Sequence, residues 1–199
     1  MLANPQSTQS IIRLAHPSDE PELLRLVQLM HAENGWQTLD MDSVRETLGL
    51  AFDRKGGILA VIGAPGHIRA MIFVRITRWW FTKDNHLEEL FNYVHPDHRN
   101  SDYAKILIEY AKGCSDELSD SMGRKVPLMM GVLASRRMSA KVRLYRRFFG
   151  MPVGAFFLHN AAWSRKDDIT EEDFWRVPSL SRLLFQRAKI KDTKDNKSR

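Results

Sequence analysis

Residues 94–112 read VHPDHRNSDYAKILIEYAK and contain the most informative junction in the chain. A strand-like ending is closed by Pro96 and passes through a polar run into a helical pattern. The pattern places apolar side chains at i, i+3, i+4, i+7, i+8 and i+11, which are Tyr103, Ile106, Leu107, Tyr110, Ala111 and Cys114. The first N–H groups of a helix lack partners within the helix, and the helix dipole is positive there. The segment 99–104 is therefore a candidate site for a phosphate group.

A second interpretation of this segment is open. Phosphate-binding loops favour glycine, whereas the tight positions here hold Asn100, Asp102 and Ala104. Asn and Asp tolerate left-handed backbone better than other residues, which is compatible with an anion cradle. A carboxylate at Asp102 opposes an anion, and at ~5 Å with an effective dielectric constant of ~20 the repulsion costs about 3 kcal/mol. In the second interpretation, Ser101 or Asp102 simply caps the helix.

The elements around this junction predict one mixed sheet with helices on its faces, in the order β-α-α-β-β-β-α-β-α-β. The fold class is therefore α/β, in the sense of an α+β mixed sheet. The expected strands are residues 11–14, 57–63, 68–77, 87–94, 126–134 and 153–159. The expected helices start at Ser18 and end near Gly35, start at Asp40 or Asp42 and include Phe52, start at Tyr103, and cover 139–148 and 179–190.

The length and composition favour one compact domain. The chain has 199 residues, of which 43% are hydrophobic and 27% charged. We expect a flexible segment at 1–10, a domain at 11–160, an extension with a packed helix at 161–190 and a basic disordered tail at 191–199. No apolar run is long enough to span a membrane, and no secretory signal is recognisable at the start. The single cysteine, Cys114, excludes an internal disulfide and favours a cytoplasmic setting.

The net charge of +6 is concentrated in residues 136–147 and 187–199. A positive field attracts a phosphorylated cofactor, nucleic acid or an acidic surface. Nucleic acid is the least favoured of the three, because the basic residues are not interleaved with a clear aromatic stacking platform. No membrane partner is expected.

Several well-known catalytic motifs are absent from the sequence: a Walker-type phosphate loop, HExxH and G-x-S-x-G. His95 and His98 have metal-like spacing, but two turn histidines without a further ligand favour no metal. Cys114 lies on the apolar face of the helix and is expected to be a buried structural thiol.

Two motifs resemble those of the GNAT acetyltransferase superfamily. The turn V-x-P-x-x-[QR]-x-x-G-x-[GA] of that family is matched by Val94, Pro96, Arg99 and Ala104, with Asp102 at the first glycine. The later pattern N-x-x-A-x-x-L-Y-x-x-x-G-F is matched by Leu144 and Tyr145, with Met138 and Lys141 at the asparagine and the alanine. The resemblance covers about residues 11–160. It implies the GNAT acyl-CoA N-acyltransferase fold and transfer of an acetyl group from acetyl-CoA to a primary amine, without a metal.

The resemblance also implies roles for particular residues. Acetyl-CoA would lie between the strand ending at Val94 and the next strand, and its expected contacts are Asn92, Tyr93, Val94, Arg99, Asn100, Ser101, Asp102, Tyr103 and Ala104. A backbone N–H near Tyr93 or Val94 would stabilise the oxyanion. Tyr145 would donate a proton to the departing sulfur, with a pKa lowered by Lys141, Arg143 and Arg146.

The base and the acceptor pocket are less closely defined. Glu88 and Glu89 point to opposite faces of their strand, so only one can face the acceptor, and Glu89 is favoured as general base. The acceptor pocket would be lined by Glu33, Trp36, Trp79 and Trp80, with His31 and Phe81 as further candidates. The paired tryptophans are equally compatible with covering the hydrophobic core or forming a homodimer contact. A GNAT-fold acyl-CoA-binding or interaction protein without catalysis is the main alternative function, and a nucleic-acid or acidic-surface binder the third.

Overall fold

The computed structural model describes residues 12–133 and 137–154. Its strands are β1 (Ile12–Leu14), β2 (Gly57–Ile62), β3 (Ala70–Thr77), β4 (His86–Val94) and β5 (Leu128–Met129). Its α-helices are α1 (Glu20–Asn34), α2 (Met41–Phe52), α3 (Tyr103–Met122) and α4 (Met138–Phe149). Short 3-10 turns at Pro17–Asp19 and Pro96–His98 precede α1 and α3. The predicted element order is confirmed as far as α4.

The five strands form one sheet in chain order, β1-β2-β3-β4-β5. The first four strands pair antiparallel, and β5 lies parallel to β4. The middle strands β2 and β3 are almost entirely buried, because helices cover both faces of the sheet. One apolar core packs β2 and β3 against α1 and α2, and the other packs them against α3. This arrangement makes β4 the last strand with extensive pairing before the β5 edge.

The connection from β1 to α1 differs from the prediction. Ser18 does not cap the helix; His16 instead begins a 3-10 turn, and α1 starts at Glu20. Asp19 is the cap residue of α1, but its side chain makes no capping bond and is completely buried. Its two oxygens accept hydrogen bonds from Arg13 at 2.7 and 2.8 Å, and one also accepts from the His16 N–H at 2.8 Å. The hydrogen bonds from Arg13 hold the pKa of Asp19 below its usual value.

The helix starts at Asp40 and Asp102 behave differently. Asp40 caps α2, because its side chain accepts hydrogen bonds from the N–H groups of Asp42 and Ser43. This settles the choice between Asp40 and Asp42. Asp102 is the cap residue of α3 but makes no capping bond with its side chain. α3 then continues for 20 residues and ends at Gly123 with φ of 62°, a left-handed conformation that favours glycine.

The strand predicted at 126–134 is much shorter than expected, with only Leu128 and Met129 in the ladder. Pro127 lacks an N–H for pairing and Gly131 weakens strand structure, which accounts for the short element. The predicted segments 1–10, 161–190 and 191–199, the helix at 179–190 and most of the strand at 153–159 lie outside the described residues. Within 12–133 and 137–154, no helix is long and apolar enough to cross a membrane.

Candidate active site

The sheet opens between β4 and β5. Within residues 12–133 and 137–154, the parallel ladder consists of two pairs, Leu87 with Leu128 and Glu88 with Met129. Beyond this point β4 continues to Val94, and among the same residues it pairs there with β3 alone. The opening predicted between these strands is therefore present, and the second half of β4 forms its wall.

A β-bulge marks the start of the opening. Phe73 on β3 lies opposite Phe91, whereas the next β3 residue, Val74, lies opposite Glu89. Leu90 is thus the extra residue of β4, and it is 40% exposed. A bulge bends its strand and increases the local twist, and this bulge lies just beyond the last β4–β5 pair, Glu88 with Met129.

Glu89 and Tyr145 meet beside this bulge. The Tyr145 hydroxyl, on α4, donates to the Glu89 carboxylate and lies 2.8 Å from each of its oxygens. The Lys141 ammonium, one turn earlier on α4, donates to Glu89 Oε1 at 3.1 Å. The Glu89 side chain is only 2% exposed and Tyr145 7%. The two residues that the sequence named as base and acid are therefore one buried, hydrogen-bonded cluster.

The pKa of Tyr145 shifts in the opposite direction to the one expected. Burial disfavours the phenolate, and the negative charge of Glu89 disfavours it further, so the pKa of Tyr145 is raised well above its usual value. The expected lowering by Lys141, Arg143 and Arg146 is wrong. Lys141 directs its charge to the Glu89 carboxylate, and Arg143 is exposed. Tyr145 is consequently a neutral hydrogen-bond donor.

Glu88 and Glu89 have different surroundings, as their alternation along β4 predicts. Glu88 pairs with Arg75 of β3, with 2.6 Å between Arg75 Nη2 and Glu88 Oε2. Its side chain is 24% exposed, against 2% for Glu89. Glu88 is therefore paired with Arg75 of β3, and of the two glutamates only Glu89 contacts Tyr145.

The backbone of β4 presents alternate groups to the opening. The N–H of His95 bonds to the Arg69 carbonyl on the β3 side. Because successive N–H groups of a strand point to alternate sides, those of Val94 and Asn92 face the β5 side. The Asn92 side chain adds a buried Oδ1 atom that has no hydrogen-bond partner within the described part of the chain. Of the two oxyanion donors considered, Val94 therefore has the suitable direction and Tyr93 does not.

Arg99 contacts Glu33 and the end of β4. Its Nη2 atom donates to both Glu33 oxygens at 2.6 Å, and its Nε atom donates to the Val94 carbonyl at 3.3 Å. The Tyr93 hydroxyl donates to Glu33 at 3.1 Å, and the guanidinium lies 5.5 Å from the centre of the Tyr93 ring. Burial and the nearby Glu33 raise the pKa of Tyr93 to about 12. These contacts fasten the end of α1 to the turn after β4.

The remaining residues of the turn are arranged as a helix start. The Ser101 hydroxyl donates to the His98 carbonyl at 2.6 Å and accepts from the Tyr103 N–H at 3.3 Å. The Asp102 side chain is 71% exposed and forms an ion pair with Lys105. Asn100 is exposed and Ala104 half-buried. Ser101 therefore supplies the capping contact, which leaves the Asp102 carboxylate in solvent.

The residues predicted to line an acceptor pocket do not gather in one place. Glu33 lies on α1 with Arg99, and Trp36 is half-buried just after that helix. Trp79 and Trp80 lie in the β3–β4 loop and are 48% and 91% exposed. The β3–β4 loop and the turn after β4 lie at opposite ends of β4. At ~3.3 Å per residue, the nine residues of that strand separate them by about 30 Å.

Sequence reasoning missed the partnership of Lys141 with Glu89, because the two residues are 52 positions apart. It also missed the pairing of Glu33 with Arg99, across 66 positions. No local pattern signals either contact. Among residues 12–133 and 137–154, no group of three or more His, Cys, Asp or Glu side chains is arranged to hold a metal ion.

Comparison with known proteins supports the fold through structure alone. No family model matches the sequence, and no curated protein matches it. A possible acetyltransferase from Clostridium difficile 630 has a TM-score of 0.58 and 19% identity, covering 74% of this chain and 95% of that one. A ribosomal-protein-alanine N-acetyltransferase from Brucella melitensis biovar Abortus 2308 has a TM-score of 0.56 and 20% identity, with coverage of 74% and 96%.

A third similar structure is the aminoglycoside 6'-N-acetyltransferase AAC(6')-IG of Acinetobacter haemolyticus, with a TM-score of 0.53 and 18% identity. The match covers 79% of this chain and 99% of that one. At these identities the likeness establishes the architecture. The chain has the fold of the GNAT acetyltransferases, as its two motifs indicated.

Proposed function

We propose that this GNAT-fold protein is an acetyl-CoA-dependent N-acetyltransferase that acts on a primary amine by direct attack on the thioester. The observation that carries the proposal is the contact between Tyr145 and Glu89, at 2.8 Å in the opening between β4 and β5. An acid and a base at the reacting centre are what acyl transfer to an amine needs. The structurally similar acetyltransferases support the same reaction class.

The opening suits a CoA thioester as substrate. The β4 edge beyond Glu88 and the Asn92 Oδ1 have no partner within the described part of the chain, and they provide hydrogen-bonding groups for an extended amide-bearing arm. The start of α3 provides N–H groups and a positive dipole end for a pyrophosphate. Lys105 in the first turn adds a cation next to Asp102. Bound there, acetyl-CoA supplies an activated acetyl group and a thiolate leaving group.

Glu89 acts as the general base in this proposal. An amine attacks only when it is neutral, so its proton must be removed before or during attack. The Glu89 carboxylate accepts that proton, directly or through a water molecule. The N–H of Val94 points into the opening and donates to the carbonyl oxygen on which negative charge develops.

Tyr145 acts as the acid, and its bond to Glu89 couples the two roles. The charge of Glu89 is one reason why the phenol holds its proton tightly. Once Glu89 has taken the amine's proton, that charge is neutralised, and Tyr145 becomes a stronger acid. Tyr145 can then release its proton to the sulfur and recover one from Glu89. The amine's proton thus ends on the thiol, and both side chains return to their starting states.

The test is a kinetic double-mutant cycle with acetyl-CoA and an amine panel. Glu89→Gln and Tyr145→Phe should each lower kcat by about 10²–10⁴-fold, the range of general acid–base catalysis. If the two residues form one relay, the double variant should be no slower than the slower single variant. Glu88→Gln serves as the matched comparison, because it alters the adjacent carboxylate, which pairs with Arg75 instead.

Three outcomes would contradict the proposal. Wild-type protein that releases no thiol with any amine would exclude acetyl transfer to that panel. A rate for Glu89→Gln equal to that of Glu88→Gln would remove Glu89 as the base. Losses that multiply in the double variant would show an independent acid and base instead of a relay.

A second candidate function is CoA binding without catalysis. The commitment of Arg99 to Glu33 favours it, because the turn then offers its arginine to a glutamate instead of a phosphate. This candidate predicts a CoA-dependent rise in melting temperature with no turnover, and identical binding by wild-type protein and Tyr145→Phe.

A further inference from the structure

The β3–β4 loop carries three consecutive aromatic residues that face solvent. Trp79, Trp80 and Phe81 are 48%, 91% and 67% exposed. Single exposed apolar residues are ordinary on a protein surface, but adjacent large aromatics form a patch of the kind used for binding. The patch belongs to neither the Glu89–Tyr145 cluster nor the turn after β4.

The aromatic patch is held in a fixed arrangement. The Trp79 ring stacks on Phe81, with centroids 6.2 Å apart and planes at 10°, and on His86, with centroids 5.6 Å apart. His86 is the first residue of β4 and is buried. The Thr82 N–H closes the turn by donating to the Trp79 carbonyl at 3.3 Å. Trp80 is therefore presented at the end of a braced turn.

Cations flank the aromatic residues. Arg78 precedes them and Lys83 follows, and in residues 12–133 and 137–154 neither takes part in an ion pair. The acidic residue of the loop, Asp84, is paired with Arg124. The loop therefore combines an apolar tip with two uncompensated positive charges.

We propose that this loop docks on the surface of an anionic lipid bilayer, with Trp80 and Phe81 in the interfacial layer. Tryptophan favours that layer because its ring is apolar and its indole N–H still finds a polar partner. Arg78 and Lys83 lie two and three residues from Trp80, about 7–10 Å along the chain. The headgroup layer is about 5–7 Å thick, so the cations reach anionic headgroups while the tip is inserted.

Two other partners, a second copy of the chain and single-stranded nucleic acid, fit the aromatic patch less well. Together the three residues expose the equivalent of about two aromatic side chains, or roughly 400–450 Å². A stable dimer needs about 800 Å² from each partner, so a second copy of the chain would need further surface. Single-stranded nucleic acid prefers a basic groove with several free ring faces, whereas the Trp79 ring already stacks on two neighbours.

Docking through the loop is separate from the start of α3. The loop precedes His86, and the turn at 95–104 follows Val94, at the far end of β4. The proposal departs from the sequence-based expectation of no membrane partner. A surface contact by two aromatic side chains needs no membrane-spanning segment, so the short apolar runs of the sequence do not oppose it.

Vesicle flotation with the full chain tests the proposal. The vesicles contain phosphatidylcholine with 30% phosphatidylglycerol, or phosphatidylcholine alone. Trp80→Ala/Phe81→Ser removes the tip, and Arg78→Glu/Lys83→Glu reverses the flanking charges. Leu50→Ser is the matched control, since it removes a 50% exposed apolar side chain from α2. We expect at least a tenfold loss of binding to anionic vesicles in both loop variants, none in the control, and weak binding to neutral vesicles.

Each other result overturns the proposal. Wild-type protein that fails to float with anionic vesicles excludes bilayer docking. Binding that persists in both loop variants places the contact on another basic segment, such as 187–199. A wild-type dimer that Trp80→Ala/Phe81→Ser converts to a monomer, without vesicle binding, identifies a second copy as the partner. Binding of a single-stranded oligonucleotide but no vesicles identifies nucleic acid.

Discussion

Replacing Asp102 tests how strongly the turn after β4 repels a phosphate. The residue stands where the GNAT pattern has a glycine, and a buried carboxylate there would cost about 3 kcal/mol, or roughly two decades in affinity. The structure points to a smaller effect, because the Asp102 side chain is 71% exposed and paired with Lys105. In a solvent-like dielectric of ~80, the same ~5 Å separation gives about 0.8 kcal/mol, which is roughly a fourfold change.

The expected results follow from these magnitudes. Asp102→Asn, which removes only the charge, should tighten CoA binding by no more than about fourfold. Lys105→Met should weaken it by a similar factor, and the double variant should resemble wild type, since the two charges oppose each other. The effects of both single variants should shrink above 0.3 M salt, because the Debye length there is shorter than the ~8 Å of physiological ionic strength and exposed charges are screened more strongly.

Isothermal titration of CoA into each variant, at low and high salt, measures these changes. Asp102→Gly provides a comparison that also frees the backbone. A tightening of thirtyfold or more in Asp102→Asn would refute the reasoning, because it would require a desolvated carboxylate facing the phosphate. Absence of CoA binding in wild type and all variants would show that the turn is only a capped helix start.

Two further predictions concern the ion pairs Arg13–Asp19 and Arg99–Glu33. Asp19→Asn should lower the free energy of unfolding by about 1–3 kcal/mol, because it removes the charged partner of an Arg13 side chain that is itself 31% exposed, and urea titration would measure this. Because the pKa of Asp19 is lowered in the folded protein, its contribution to stability is complete above the unfolded pKa of ~3.9 and is lost as the pH falls through the folded pKa. Equal acid sensitivity of the wild type and the variant would contradict this prediction. Arg99→Lys should lower the melting temperature and cost about 1–2 kcal/mol, because lysine cannot reach Glu33 and the Val94 carbonyl together, and an unchanged melting temperature would contradict it.

The fold was largely predictable because its signals are local. The i, i+3, i+4 pattern after Tyr103 and the apolar strands each depend on neighbours within a few residues, and those elements appear where expected. The failures occurred where a local signal competed with a distant one. Ser18 has the sequence signature of a helix cap, but Asp19 is buried in its ion pair with Arg13, and the helix starts at Glu20 instead. At β5, the apolar run 126–134 predicted a long strand, but Pro127 has no N–H for pairing and the strand contains only two residues.

The contact between Glu89 and Tyr145 joins two residues that the sequence singles out, but the charges around that contact differ from the prediction. Glu89 and Tyr145 were identified by strand position and by motif, and their mutual hydrogen bond follows from the fold. The direction of the Tyr145 pKa was wrong because the basic helix α4 suggested a positive environment. In the structure, the nearest charge to the phenol is a buried carboxylate, and burial itself is the larger cause. Net charge along a helix therefore says little about one buried group on its inner face.

The departures from the GNAT pattern are better understood as pairs than as single positions. Asp102 replaces a glycine but is paired with Lys105, and Lys141 replaces an alanine but is paired with Glu89. Each of these two departures thus adds a charge whose counterpart lies outside the motif, so the local field changes less than the motif alone suggests. For Lys141, the ammonium also supplies a positive neighbour for a carboxylate that is almost completely buried, where an unpaired charge would be costly. Lys141, the residue that looks most foreign to the motif, is accordingly the one that gives the buried Glu89 carboxylate a cationic partner beside Tyr145.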